Sequence, residues 1–534
     1  MFVKLTPRQY QLAIFNSVMQ NGNTLVVLPT GLGKTLIAVM LIKEMMSKGR
    51  CLLLTPTKPL ARQHSKSIAE VLELPESQIT LVTGEMQPAK RTAEYSKPII
   101  ISTPQTIRND LEYGRIQGDF ALVIYDECHR TIGDYAYTQI AQNTKGALFV
   151  GLTASPGGKK ERIREVLDNL FITNIEVRTH EDPDVAQYVQ KSDFKWIPVD
   201  LTPQLRSIKV ELDEMAGRYA QKLTEMGFPP PIKHKGRFME LRKRILAINH
   251  PMKYPLIIQY SVLLHILHML ELLETQGIYP LRKYIEKLKE KESKSANLLL
   301  HEPGLHKIVK LCEGETDHPK LLKLVEIISE LKGQKLIVFA QYRDQIKKIV
   351  EVLETAGFRA KQFVGKKDGV TRKIQEQTID DFRSEKFDIM VCSSIGEEGL
   401  DIPAVDSVIF YEPIPSEIRS IQRRGRAARL KKGSVYVLMT RGTRDEYYFH
   451  ASYRKEKQMK AILKKMSEQI SGKPVHSGVG ITDKKSVTGK KPVKKEMSSG
   501  SDDNLIARAQ KTHPAIPSKG SKSKPEQTKM SDFL

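Results

Sequence analysis

The chain has 534 residues, with 85 Lys+Arg against 62 Asp+Glu, a formal charge of +23, and hydrophobic and charged fractions of 40% and 28%. At about 150 residues per domain this length holds three or four domains, each able to bury its own core, which excludes a small disulfide scaffold. The four cysteines, Cys51, Cys128, Cys312 and Cys392, lie far apart with no C-x-x-C pair; this argues against zinc-ribbon spacing and for a reducing, intracellular compartment. A positive excess of this size points to a polyanionic partner, nucleic acid first, because Lys and Arg that neutralise phosphates release condensed counterions.

In chain order, Met1 to Gln11 carries charges but no apolar core of a signal peptide, and none is expected. From Thr24 to about Thr173, short apolar runs alternate with polar helical stretches: Leu25 to Leu28, Cys51 to Leu54, Ile99 to Ile101, Leu122 to Tyr125 and Leu148 to Val150. Near-continuous apolar strands belong to a parallel sheet covered on both faces, so residues 1–200 are predicted to form a doubly wound α/β domain. Within it, Pro29-Thr30-Gly31-Leu32-Gly33-Lys34-Thr35 follows a strand and opens a helical pattern, the context of a phosphate-binding loop. Gly31 and Gly33 allow the tight backbone, Lys34 reaches the β/γ-phosphates and Thr35 can hold Mg²⁺, so a nucleoside triphosphate with Mg²⁺ is expected. Leu28 stands where the loop pattern usually has a small residue. Asp126-Glu127-Cys128-His129 closes another strand. Two carboxylates there fit NTP hydrolysis, with Asp126 on the metal and Glu127 orienting or deprotonating the attacking water.

Between about Leu201 and residue 310 strand signals vanish and a helical insertion is predicted. Its most apolar stretch, Pro255 to Leu273, is interrupted by Gln259, His265, His268 and Glu271 and reads as an amphipathic helix rather than a membrane span. The insertion also carries Lys233, Lys235, Arg237, Arg242, Lys243 and Arg244, either a solvated helix face or a duplex contact. Residues 311–471 repeat the strand series with Leu336 to Phe339, Ile389 to Cys392, Val408 to Tyr411 and Val435 to Leu438, a second doubly wound domain in tandem with the first. Residues 472–534 are rich in Lys, Ser, Gly and Pro and read as a disordered basic tail.

With these words in view the chain resembles a superfamily 2 helicase. Arg8-Gln9-Tyr10-Gln11 is similar to the adenine-reading element, which implies ATP as the nucleotide, bound in part by Arg8 and with a base contact from Gln11. Thr55-Pro56-Thr57-Lys58, Thr83-Gly84-Glu85 and Thr103-Pro104-Gln105 resemble the strand-tracking motifs, and Thr153-Ala154-Ser155 resembles the motif that, with His129, couples hydrolysis to lobe movement. In the second lobe Phe339-Ala340-Gln341-Tyr342, the run Ser393 to Pro403 with Gly399 and Asp401, and the run Gln422 to Arg429 match the remaining motifs in order. The resemblance implies two RecA-like lobes, nucleic-acid contacts from Gln341 and Ser393, and Gln422, Arg426 and Arg429 completing the ATP site. Arg426 and Arg429 would supply the arginine finger. Ala428 replaces the usual Gly.

Within the superfamily the words look most like the archaeal Hef helicase and its Fanconi anaemia M-type and Mph-type relatives, over about Met1 to Ile470. That branch implies forked or four-way DNA as substrate and a thumb-like insertion that grips branched duplex. The Glu-Arg-Lys word of the family's nuclease is not found after Gly472, so a helicase-only member is expected, cytoplasmic if archaeal and nuclear if eukaryotic. Gln527, Met530 and Phe533 near the C-terminus resemble the anchors of a sliding-clamp (PCNA) peptide motif. Lys490 to Lys495 reads equally as an import signal or a non-specific DNA-binding run. Two alternatives stay open: an RNA helicase, because Dicer and the innate-immune RNA sensors share the Asp-Glu-Cys-His word and a helical insertion, and an ATP-gated scaffold that clamps nucleic acid without productive turnover.

Overall fold

The structure is a computed structural model that describes residues 6–188, 193–232, 235–314, 317–365, 370–393, 405–413 and 434–471. In chain order the first lobe runs α1 (Gln9–Asn21), β1 (Thr24–Val27), α2 (Lys34–Met45), β2 (Arg50–Leu54), α3 (Lys58–Leu72), β3 (Ile79–Val82), α4 (Pro88–Glu94), β4 (Ile99–Ser102), α5 (Pro104–Glu112), β5 (Phe120–Asp126), α6 (Ala136–Asn143), β6 (Leu148–Thr153), α7 (Lys160–Asn169), β7 (Asn174–Val177) and the short α8 (Pro183–Ala186). Its seven strands form one parallel sheet in the order β3-β4-β2-β5-β6-β1-β7. Along β2, Leu52 and Leu54 enter one apolar cluster while Cys51 and Leu53 enter the cluster on the opposite face. Burial on both faces is why these strands are unbroken apolar runs.

The next strand, β8 (Asp193–Val199), leaves this sheet altogether and pairs in parallel with a strand near the other end of the chain. A first domain ending at residue 200 is therefore corrected: this stretch, in which Phe194 and Trp196 stay exposed, is the edge of the second sheet. The insertion follows as α9 (Pro203–Glu225), α10 (Lys235–Leu246), α11 (Lys253–Thr275), α12 (Ile278–Lys289), α13 (Lys294–Leu300) and α14 (Pro303–Leu311). The second lobe consists of α15 (Pro319–Glu330), β9 (Leu336–Phe339), α16 (Arg343–Thr355), β10 (Ala360–Phe363), α17 (Arg372–Arg383), β11 (Ile389–Cys392), β12 (Ser407–Phe410), β13 (Ser434–Thr440) and α18 (Arg444–Ser471). Its parallel sheet has the order β10-β11-β9-β12-β13-β8. The two lobes with a helical bundle between them are the expected doubly wound α/β architecture, with β3, β7, β8 and β10 added to the strands read from sequence.

Helix α11 is long and apolar enough to cross a membrane, but it packs against α9, α10, α12, α13 and α18 at the centre of the bundle. From Met269 to Thr275 every residue is buried, so the amphipathic reading is corrected to a core helix over its second half. Its His265 lies 2.6 Å from the Tyr284 hydroxyl of α12. Burial, with Lys291 and His268 nearby, lowers the His265 pKa from 6.5 to about 4, and burial lowers His318 as well. The unfolded chain takes up a proton near pH 6.5 that the folded ring refuses until about 4. The stability from neutral His265 is therefore present above that window and lost as pH falls through it. The melting temperature is expected to drop between about pH 7 and pH 5, with a shallower drop in His265→Asn, which keeps an acceptor for Tyr284; parallel slopes in the two proteins would remove His265 as the cause.

Helix α18 does more than finish the second lobe, which the sequence predicts over residues 311–471. Met459, Leu463 and Met466, spaced i, i+4, i+7, insert into the core of the first lobe, and Ser467 Oγ donates to Ile175 O of β7. At its other end Arg444 donates through NH1 to Leu267 O of α11 at 2.9 Å. A helix of 28 residues is about 42 Å long, enough to touch both lobes and the insertion.

Candidate nucleotide and nucleic-acid site

Parallel register brings the catalytic candidates level at one sheet edge. Val27 of β1 pairs with Thr153 of β6, and Asp126 of β5 pairs with Leu152, so the loop after β1, the Thr153 turn and the Asp126-Glu127 pair emerge side by side. Carboxyl ends of parallel strands are where α/β sheets bind ligands. In the loop, Gly31 and Gly33 take φ of 86° and 76°, values that favour glycine, and Gly33 caps α2. Lys34 Nζ donates to Leu28 O at 2.9 Å. Leu28 itself continues β1, its N–H donating to Thr153 O at 3.0 Å; it needs no left-handed conformation, which is why Leu serves where a small residue is usual. Thr35, like Pro29 and Thr30, is half-buried, and Leu32 is buried. Gln11 is buried with both ends of its amide in use: Oε1 accepts Arg8 N–H at 2.8 Å and Nε2 donates to Leu32 O at 3.1 Å. A Cβ at Gly33 would lie 2.4 Å from that Nε2. The N-terminal element is thus clasped to the phosphate loop.

Asp126 is buried at the end of β5. Burial alone would raise its carboxyl, but hydrogen bonding and charge from His64, the charge of Lys34 and the Glu127 N–H together hold it below the usual value. Glu127 follows in the left-handed region at φ 50°, ψ 46°. Its Oε2 is buried 3.2 Å from His129 Nδ1 with no hydrogen bond among the described residues, and that same nitrogen lies 3.2 Å from Thr153 Oγ1. Thr153 Oγ1 accepts Ser155 N–H at 3.1 Å, and Ser155 Oγ lies 2.9 Å from Met459 Sδ of α18. His129, Thr153 and Ser155 therefore form one chain from Glu127 to a helix of the second lobe.

On the other half of the same edge, β2, β3 and β4 end at the strand-tracking words. Thr55 N–H donates to Ser102 O at 3.0 Å, keeping the two loops in step. Pro56, Lys58, Gly84, Arg91, Thr103, Gln105, Thr106 and Asn109 line a cavity of about 450 Å³. Helices α3 and α5 both begin at it, with Thr57 and Thr103 as N-caps, so their unpaired N–H groups and dipoles favour an anion there. Thr83 is buried beside it and Pro104 opens α5. Glu85 pairs with Lys58 at 3.0 Å and Arg62 at 3.4 Å. Behind the wall, Arg91 makes a two-pronged pair with the fully buried Asp110, which Tyr95 and Arg115 also bind.

In the second lobe, Gln341 after β9 is exposed and Ser393 after β11 is half-buried. In α10, Phe238, Leu241 and Ile245 are buried while Lys243 and Arg244 are exposed and Arg242 half-buried. Gly399, Asp401, Gln422, Arg426, Arg429 and the tail anchors Gln527, Met530 and Phe533 lie outside the described residues.

Three family models match in chain order: the type III restriction enzyme res subunit over residues 4–158, the helical bundle of ATP-dependent RNA helicases over 240–318, and the helicase conserved C-terminal domain over 319–431. A Methanocaldococcus jannaschii protein named as an ATP-dependent RNA helicase is 39% identical over 478 residues, 86% of this chain and 61% of that protein. The ATP-dependent DNA helicase mph1 of Neurospora crassa is 32% identical over 488 residues, 83% of this chain and 42% of its own length. This chain thus spans less than two thirds of either. The crystal structure of the Pyrococcus furiosus Hef helicase domain is 40% identical with a TM-score of 0.66, over 84% of this chain and 98% of that one. This chain belongs to the Hef-type superfamily 2 helicases.

For a Hef-type helicase the residues present fit a nucleotide with a divalent cation. The glycine cradle leaves no room for a side chain at position 33, Lys34 rests on a carbonyl that a phosphate can replace, Asp126 is held ionised, and Glu127 keeps an unsatisfied oxygen. Two contributors escaped the sequence reading. His64 of α3, whose Nε2 lies 3.2 Å from Asp126 Oδ2, carries no local signal, because one histidine on a helix is ordinarily a core or surface residue. Met459 could have been found from the apolar i, i+4, i+7 stripe in an otherwise Lys-rich helix.

Proposed function

We propose that this chain is an ATP-dependent DNA helicase or translocase that remodels forked or four-way DNA in repair and replication-fork restart. The observation that carries the reading is the shared sheet edge: the phosphate loop and carboxylate pair lie on its β1-β6-β5 half and the anion-favouring cavity on its β2-β4-β3 half. Lys34 and the N-terminal N–H groups of α2 would bind the phosphates, Thr35 and Asp126 would hold Mg²⁺, and Glu127 would orient the attacking water. Held there, Mg²⁺ would supply charge neutralisation to the transferred phosphoryl group. His129 and Thr153 then relay the state of Glu127 toward Ser155 and α18, so that hydrolysis and lobe position change together. Exposed Lys243 and Arg244 of the insertion meet the second duplex of a branched substrate.

RNA as substrate is the second reading, favoured by the RNA-helicase names of the helical-bundle model and of the Methanocaldococcus relative. ATP hydrolysis by wild type and Glu127→Gln, without nucleic acid and with linear duplex DNA, a four-way junction and duplex RNA at one salt concentration, separates them. The junction is expected to stimulate most, and only in wild type. Stimulation by RNA above any DNA would overturn the DNA reading, and none by any polymer would overturn both. Within the same proposal, Gln527, Met530 and Phe533 dock on a sliding clamp; a chain ending at Glu526 that binds the clamp as well as the full chain does would refute this. An intracellular location, in keeping with four buried free cysteines, completes it.

A further inference from the structure

The helix that opens at the nucleic-acid cavity also touches the nucleotide site. Helix α3 begins at Lys58, one of the cavity's lining residues. Six residues later, about 9 Å along the axis, it presents His64, which is 8% exposed, to Asp126, which is 7% exposed. His64 Nε2 lies 3.2 Å from Asp126 Oδ2, while its Nδ1 is buried without a hydrogen-bond partner among the described residues. An ionised carboxylate only accepts, so Nε2–H is the donor.

We propose that His64 is a positioning residue: it fixes the Asp126 carboxylate in the orientation that receives the metal, and it carries movement of α3 at the nucleic-acid cavity into the nucleotide site. This rests on the ATPase reading above. Through this geometry, occupancy of one site would change the other. A phosphate drawn to the N-terminus of α3 pulls on a single helix, and among the described residues the His64 side chain hydrogen-bonds to Asp126. The route is separate from the one through His129 and Thr153, which begins at Glu127.

Binding of a fluorescent ADP analogue to the full chain, titrated with Mg²⁺ and without turnover, tests the proposal in wild type, His64→Ala and His64→Gln; the ratio of DNA-stimulated to basal hydrolysis is measured alongside. Removing a group that orients a metal ligand typically costs 10–100-fold in metal affinity. His64→Ala is therefore expected to need about 10–100-fold more Mg²⁺ for half-maximal nucleotide binding and to lose most of its DNA stimulation. Metal-free nucleotide binding should stay unchanged. His64→Gln, whose amide N–H reaches the same place, is expected to recover both. Wild-type Mg²⁺ dependence in His64→Ala overturns the proposal, as does equal weakening with and without Mg²⁺ that Gln does not rescue, since a packing role then accounts for His64. If wild type itself binds the analogue without regard to Mg²⁺, the ATPase reading fails along with it, and that failure is recognised because it shows in the unmutated chain.

Discussion

Glu127→Gln is expected to lower nucleic-acid-stimulated ATP hydrolysis by about 10²–10⁴-fold, with nucleotide binding and melting temperature unchanged. Glu127 holds a left-handed backbone at φ 50°, a conformation that costs a residue with a side chain roughly 1–2 kcal/mol. The strain persists because both neighbours are locked. Asp126 O accepts the Tyr137 hydroxyl at 2.7 Å, and Cys128 is buried against Gly151, where a Cβ would come within 3.0 Å of its Sγ. The turn thus aims the Glu127 carboxylate, and Gln keeps the shape of the side chain while removing its ability to take a proton. Steady-state hydrolysis, together with binding of the fluorescent nucleotide, separates the two steps. A Gln variant hydrolysing ATP at the wild-type rate would take Glu127 out of the reaction.

The largest stability effect is expected at Lys320. Its side chain and that of Asp445 are both fully buried and paired, and Lys320 Nζ also donates to Thr275 O at 3.3 Å and lies 5.4 Å from the Tyr411 ring centre. Asp445 Oδ2 accepts Thr440 N–H at 3.0 Å, and burial raises the Asp445 carboxyl against the pull of Lys320. The pair joins α15, the end of α11 and the start of α18, where second lobe and insertion meet. Lys320→Met strands a carboxylate in this interior, a change that typically costs about 3–5 kcal/mol. Adding Asp445→Asn removes the stranded charge and keeps an acceptor for Thr440, so the double variant is expected to regain at least half of the loss in denaturant unfolding. Equal midpoints for wild type and Lys320→Met would show that no charge is stranded when Lys320 is removed, and would take the pair out of the account of stability.

The parts legible in the sequence share one physical property: their structure is dictated within about ten residues. Gly31 and Gly33 stand where the loop must turn through positive φ, a strand precedes them and a helix follows, and no distant residue is needed to recognise the arrangement. The runs Cys51 to Leu54 and Leu122 to Tyr125 are apolar throughout because both faces of the sheet are covered, and that pattern alone announces a doubly wound domain. Helix α11 shows the limit. Its apolarity is plain in the sequence, but polar residues such as Glu271 suggest a wet face that the fold closes with Tyr448 from the other end of the chain.

By itself, then, the sequence determined the phosphate loop, the carboxylate pair, the two parallel-sheet lobes and the helical segment between them. Only the tertiary structure decided that β8 crosses to a sheet whose neighbouring strand begins at Ser434, that α18 returns to the first lobe beneath Ser155, and that His64 faces Asp126 from 62 residues away. Backbone conformation and two-sided burial follow from local sterics and local hydrophobicity. Which edge a strand joins, and which carboxylate a buried histidine meets, depends on how the rest of the chain packs, and a single sequence carries no local mark of that.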